Sequence, residues 1–150
     1  MSTLTIFEAH GASAIIGSGN FSISLTGFGS VFVPKLRGES GWIYVPITAA
    51  KFVVGGSQKI RRVELNFATG PNAWIDSVEI WRGQTNEPVQ PPTTKIMSGT
   101  APHTEYIDVE GDEGYYHGSC VLIHIVTGSG GLGDGWFTLG HVGIHLTSSP

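Results

Sequence analysis

Apolar and polar residues alternate along many short stretches of this chain, with the period of two that is typical of a strand with one face in the core. The clearest case is RRVELNFA at 61–68, where Val63, Leu65 and Phe67 alternate with polar residues. Such stretches predict strands at 4–9, 13–17, 21–25, 30–36, 42–47, 61–68, 74–81, 104–110, 120–127 and 136–146.

The stretch at 74–81 alternates less regularly. Its pattern groups Trp74 with Val78 and Ile80 on one face, and Asp76 interrupts the apolar character of that face. We still predict a strand here, because aromatic and β-branched residues dominate the stretch.

Glycine and proline interrupt the whole chain: 22 glycines and 8 prolines in 150 residues leave few windows of helical length. Turn-forming residues at 68–73 predict a hairpin. The proline-rich segment 82–103 predicts a crossover with a short edge strand at 95–97, and a lid or binding loop is the alternative. This pattern favours an all-β fold, a two-sheet antiparallel β-sandwich with jelly-roll-like topology, as a single domain over 1–150.

Charge and cysteine content exclude several classes of function. Only 13% of the residues are charged and the net charge is -4, so we expect no nucleic-acid partner and no anionic membrane surface. The lone Cys120 allows no internal disulfide, and its apolar neighbours favour a buried small hydrophobe over a reactive thiol. Without a leader pattern or a long apolar run, the expected location is cytoplasmic by default, with no membrane insertion; export without a cleaved signal is the alternative.

The glycines of GSGGLGDG have the spacing of a dinucleotide-binding fingerprint at Gly128, Gly130 and Gly133. Such a fingerprint must open a helix whose N-terminal amides hold the pyrophosphate. A strand-like stretch follows here, so we expect a hairpin-like connection and no nucleotide cofactor. Gly140 and Gly143, inside the last strand, predict a bulge or a close approach of another group.

Two histidines, His141 and His145, share one face of that strand. Four residues of a strand span about 13 Å, too far for both to bind one metal ion. They flank Gly143, and a groove above this glycine is expected to hold a ligand, a neighbouring subunit or an aromatic side chain. We predict no metal and no cofactor, with a zinc site assembled from separate strands as the alternative.

Aromatic residues suggest a binding site at a loop rim. Trp42 and Trp136 each follow a glycine where a loop becomes a strand, a position suited to stacking on sugar rings as in lectin-like sandwiches; core packing is the alternative. The segment 110–118 adds acidic and aromatic side chains. The candidate ligand-binding residues are therefore Trp42, Trp136, Tyr115, Tyr116, His141 and His145.

Three functions remain open. The first is a non-catalytic binding module for a saccharide or another small polar ligand. The second is a self-assembling structural subunit, forming a homo-oligomer or a filament. The third is a small hydrolase, isomerase or cyclase, which predicts His117 or His124 at about 3 Å from a carboxylate beside a cavity. Histidines scattered on different surfaces would contradict it. Its candidate catalytic residues are His117, Asp112, Glu113 and His124.

Several motifs occur in an order that is also found in a known family. They are AHGAS at 9–13, GFGSVFVP at 27–34, GWIYVPI at 41–47, the long stretch at 60–83 and the glycine-rich, histidine-containing last strand. In these motifs the chain resembles a family of small bacterial and fungal proteins, the domain of unknown function 6623. The resemblance implies a free-standing β-sandwich and carries over no catalytic or binding residue.

Overall fold

A computed structural model describes residues 4–47, 58–82, 95–109 and 119–148. These residues form ten strands and two short 3-10 turns. The strands are β1 Leu4–His10, β2 Ile15–Ile16, β3 Phe21–Leu25, β4 Ser30–Pro34, β5 Ser40–Ile47, β6 Gln58–Thr69, β7 Ala73–Arg82, β8 His103–Asp108, β9 Ser119–Thr127 and β10 Phe137–Ser148. Each predicted strand is confirmed: β3 has the predicted ends, and the ends of the others differ by a few residues. Within the described ranges, no helix has the length and apolar character that crossing a membrane requires.

The strands form two antiparallel sheets. Sheet A has the order β3-β4-β10-β6-β8, and β1 also pairs with β10. Sheet B has the order β2-β5-β9-β7. The two sheets bury a common apolar core between them, which confirms the predicted two-sheet antiparallel β-sandwich.

Strand β10 pairs with three other strands of sheet A, with one strand along one edge and with two strands along the other. Along one edge it pairs with β6 over its whole length. Along the other edge, β4 pairs with residues 137–139 and β1 with residues 141–147. Gly140 lies between these two ladders, where the pairing of β10 with β6 also shifts register. The bulge predicted at this glycine is confirmed.

Two further glycines make this change of partner feasible. A Cβ at Gly11 would lie 1.8 Å from the carbonyl oxygen of Leu139, and one at Gly29 would lie 1.9 Å from the same oxygen. The buried Ser30 hydroxyl donates to the carbonyl oxygen of Gly11 at 2.7 Å. The ends of β1 and β4 therefore meet over one peptide of β10. We call Gly11, Gly29 and Gly140 the glycine junction.

The core lies between the sheets and combines aromatic with aliphatic side chains. The ring centroid of Phe137 lies 5.9 Å from that of Phe32 and 6.0 Å from that of Phe67. The alternation predicted in β6 is confirmed, since Val63, Leu65 and Phe67 are fully buried. Sheet B contributes the buried residues Ile43, Val45, Val78, Ile80, Val121, Ile123 and Ile125.

Two connections that the sequence predicts as hairpins are arches between the sheets. The turn at 70–72 joins β6 in sheet A to β7 in sheet B, and the connection from β9 to β10 also changes sheet. The hairpin predictions were wrong because turn residues indicate a chain reversal without specifying which sheet the next strand joins. Asn72 ties the arches together: its N–H donates to Asp134 at 2.9 Å and its side-chain amide to Gly128 at 3.0 Å.

A second bulge lies at Asp76 in β7. The ladder with β9 steps from Ile75 directly to Ser77, so Asp76 is an extra residue. An extra residue shifts the phase of the alternation. Ile75 is consequently buried, and Trp74 faces outward. Grouping Trp74 with Val78 on one face was therefore wrong.

The short edge strand predicted at 95–97 is reduced to a single bridge. Met97 exchanges both of its backbone hydrogen bonds with Ile75, at 2.8 and 2.9 Å, and its side chain is buried. Residues 83–94 of the predicted crossover lie outside the described residues.

The glycine junction yields a stability prediction. Gly11→Ala should destabilise the fold by about 3 kcal/mol, at the upper end of overpacking costs, because the clashing atom belongs to the β10 backbone. Gly27→Ala is the matched control, since a Cβ at Gly27 meets nothing within 4 Å. Urea unfolding followed by tryptophan fluorescence measures both. Equal midpoints for the two variants would contradict the role of Gly11.

Candidate functional site

The outer face of sheet B, turned away from the core, presents aromatic side chains from two strands. In β5, Trp42 and Tyr44 alternate with the buried Ile43 and Val45 and point outward. In β7 the outward positions include two tryptophans. We use the name aromatic face for this surface, which consists of Trp42, Tyr44, Trp74 and Trp81 with the polar residues Asp76, Glu79 and His124 between them.

Strand β9 lies between β5 and β7 and sets the spacing of the rings. Trp42 is paired with His124, and Tyr44 with Leu122. Neighbouring strands are about 4.8 Å apart and a strand rises about 3.3 Å per residue, so the rings extend over a platform roughly 10 Å wide and 20 Å long. All four rings are partly exposed.

Side-chain contacts orient two of the tryptophans, Trp42 through a ring contact and Trp81 through a hydrogen bond. His124 Nδ1 lies 2.6 Å from Asp76 Oδ1, and the His124 ring packs on Trp42 with centroids 4.8 Å apart. The indole N–H of Trp81 donates to Glu79 Oε2 at 2.8 Å. The bulge in β7 brings Asp76 within reach of His124, so these rings have fixed orientations.

Tyr44 is supported from the other side by a glycine. A Cβ at Gly17 would lie 2.4 to 2.7 Å from three atoms of the Tyr44 ring, so the ring lies directly against the Gly17 backbone. Two hydrogen bonds join this segment to β5. The backbone N–H of Gly17 donates to the Trp42 carbonyl at 2.8 Å, and the backbone N–H of Trp42 donates to Ser18 Oγ at 3.1 Å.

Cys120 is half-buried on the same sheet, between Pro46 in β5 and Trp81 in β7. Burial raises the pKa of its thiol, and a backbone hydrogen bond from Val45 offsets this only in part. A thiol with a raised pKa is a poor nucleophile near neutral pH. Cys120 is therefore a poor nucleophile, as predicted, but it is half-buried at an outward position of β9 and not a buried core residue.

His141 and His145 lie on the outer face of sheet A, on the opposite side of the sandwich from the aromatic face. Glu64 lies between them, with Oε1 at 3.1 Å from His141 Nε2 and Oε2 at 2.8 Å from His145 Nε2. Burial acts to raise the pKa of the Glu64 carboxyl, but the hydrogen bonds and charges of both histidines outweigh it, so the pKa lies below its ordinary value.

The groove expected above Gly143 is occupied by side chains of the chain itself. A Cβ at Gly143 would lie 3.4 Å from Glu8 Cγ and 3.6 Å from Glu64 Cβ. Both glutamates pair with Gly143 across the sheet, Glu8 from β1 and Glu64 from β6. Residues so distant in sequence give no local signal, and the sequence analysis missed both.

Of the other predicted site residues, Trp136 lies away from the aromatic face, and five lie in a segment outside the described residues. Trp136 lies at the arches, where its carbonyl accepts from the Gly70 N–H at 2.7 Å and its ring lies 3.0 Å from a Cβ placed at Gly70. The residues Asp112, Glu113, Tyr115, Tyr116 and His117 lie outside the described residues. The loop-rim site thus stays a prediction, and Trp42 is its member on the aromatic face.

No family model matches the chain, so the resemblance to the domain of unknown function 6623 stays a prediction. A comparison with curated proteins also finds no match. Solved structures do match over nearly the whole chain. The xylan-binding module CBM15 has a TM-score of 0.58 at 13% identity, covering 99% of this chain and 100% of that one.

Two further solved structures also match at low sequence identity over most of both chains. The low affinity xylan binding module CBM86 from Roseburia intestinalis has a TM-score of 0.53 at 12% identity, with 96% of each chain covered. A family 29 carbohydrate binding module from Piromyces equi has a TM-score of 0.52 at 12% identity, covering 96% of this chain and 90% of that one. These modules share the β-sandwich fold of this chain.

The contact of Gly17 with Tyr44 yields a prediction. Gly17→Ala should displace the Tyr44 ring at little cost in stability, since the clashing atoms are the far end of a partly exposed side chain that can rotate away. The near-ultraviolet circular dichroism of the aromatic residues should change with it. Gly133→Ala serves as control, because nothing lies within 4 Å of its Cβ position. An unchanged spectrum in Gly17→Ala would argue against this packing.

Proposed function

We propose that this chain is a non-catalytic saccharide-binding module and that the aromatic face of sheet B is its binding surface. One observation carries the proposal: four partly exposed aromatic rings and several hydrogen-bonding groups share one outer sheet face. The core does not require them there, because a separate set of buried side chains fills the space between the sheets. Exposed apolar surface gathered in this way is typical of an interaction site.

The chemistry of the face suits a sugar. A pyranose ring has apolar C–H faces that stack on aromatic rings, and hydroxyl groups at its rim that need hydrogen-bond partners. Trp42 and Tyr44 provide flat surfaces, while Asp76, Glu79 and His124 provide polar atoms beside them. The platform is roughly 20 Å long, which is enough for several linked sugars.

Charge narrows the class of ligand. The aromatic face carries the carboxylates of Asp76 and Glu79, and the chain has a net charge of -4. A polymer bearing carboxylate or sulfate groups would be repelled by this surface. We therefore propose a neutral polysaccharide, and the fold shared with xylan-binding modules supports this choice.

The test is a binding assay on a panel of neutral polysaccharides, by affinity electrophoresis and then calorimetry. Trp42→Ala and Tyr44→Ala should each weaken binding by roughly ten- to a hundredfold, because a stacked ring contributes about 1–3 kcal/mol in comparable nucleic-acid complexes. Tyr106→Ala is the matched control: Tyr106 is an exposed aromatic residue on the opposite sheet. Retention by no polysaccharide, or an equal loss in Tyr106→Ala, would overturn the proposal.

The enzyme alternative makes a different prediction, because His124 and Asp76 meet the expected distance between a histidine and a carboxylate. A hydrolase using this pair would release reducing ends from a bound polysaccharide, and His124→Ala would abolish that release. A binding module releases none in the wild type.

The self-assembling subunit and the homo-oligomer remain predictions from the sequence, for which light scattering is the measurement.

A further inference from the structure

We propose that the outer face of sheet A contains a binding site for a divalent transition-metal ion of the zinc type, with Glu8, Glu64 and His141 as its ligands. The site lies on the opposite side of the sandwich from the aromatic face. It therefore stands independently of the proposed saccharide binding.

Three adjacent strands bring these residues together. In the row that crosses β1, β10 and β6, Glu8 pairs with Gly143 and Gly143 pairs with Glu64. The two glutamates start about 10 Å apart, two strand spacings. Since Gly143 has no side chain, both carboxylates extend over it from opposite sides. His141 joins them from the neighbouring outward position of β10.

The donor atoms are close enough to share one ion. The candidate ligand atoms of Glu8, Glu64 and His141 all lie within 4.8 Å of one another. Bonds of about 2.0–2.2 Å to a tetrahedral zinc ion place ligand atoms roughly 3.4 Å apart. Glu8 is exposed and has room to close the remaining distance.

A bound cation would stabilise this cluster of one histidine and two glutamates. Two carboxylates that converge on one point repel each other, and a cation between them removes this repulsion. One imidazole nitrogen and two carboxylate oxygens suit zinc, and three protein ligands leave one position for water or another molecule. His141 would bind through Nε2 as a neutral imidazole with its proton on Nδ1.

His145 acts as a positioning residue for this site. Its Nε2 lies 2.8 Å from Glu64 Oε2, the oxygen that does not face His141. The His145 side chain is only 12% exposed, and its ring meets Tyr106 edge-on at 6.1 Å. Such a hydrogen bond from a packed histidine fixes the direction of a ligating carboxylate.

The experiment is a zinc titration of chelator-treated protein by isothermal calorimetry, with calcium chloride as a comparison. We expect one zinc ion per chain, weaker or no binding of calcium, and a higher melting temperature with zinc. His145→Ala should weaken zinc binding roughly tenfold, the effect typical of a residue that orients a ligand. Glu8→Gln and His141→Ala should weaken it more than His145→Ala does.

The controls keep a negative result informative. His124→Ala removes a histidine that also contacts a carboxylate, but on the other sheet, and it should leave zinc binding unchanged. Glu8 is exposed, so Glu8→Gln tests the site without disturbing the fold. The proposal is overturned if zinc does not bind at millimolar concentration, if binding survives both ligand variants, or if His124→Ala weakens it equally.

Discussion

The backbone hydrogen bonding of β10 is the constraint on which the rest of the structure depends. One edge of this strand has to satisfy two partners in succession, and the change of partner is confined to a single peptide. Gly11 and Gly29 can lie against the Leu139 carbonyl only because neither carries a side chain. Without that approach, either β1 or β4 would lose its ladder. With it, β1 lies beside β10 in the register that sets Glu8 level with Gly143.

Alternation along the strands, shifted in phase at the bulges, then divides the molecule into a core and two outer faces. Along β9 every second residue is buried and the residues between are partly exposed. The inward side chains of sheet B are aliphatic except for Ser119 and Thr127 at the two ends of β9, whereas the outward positions of β5 and β7 carry aromatic rings and polar groups. The two outer faces differ in chemistry: one combines rings with scattered polar atoms, and the other combines carboxylates with imidazoles. Both are made of paired strands.

The sequence predicted local features better than features that depend on pairing between distant strands. Alternation and the spread of glycine and proline were enough for all ten strands and the sandwich. The phase of the alternation in β7 was missed. The extra residue Asp76 shifts it, so that Trp74 points outward although Val78 points inward. Tyr44 could have been found, since it stands two residues after Trp42 and shares its face. Glu8 and Glu64 could not, because only the register of three strands unites them with His141.

The side chains of the aromatic face stand on paired strands, with their orientation set by the bulge at Asp76 and by the backbone at Gly17. For the proposed function this placement has an entropic consequence. A loop that binds a ligand loses conformational freedom at that moment, which weakens association. Side chains on paired strands have lost most of this freedom during folding. Exchanging an outward residue also leaves the inward packing untouched. A scaffold of this kind lets recognition diversify during evolution while stability is conserved.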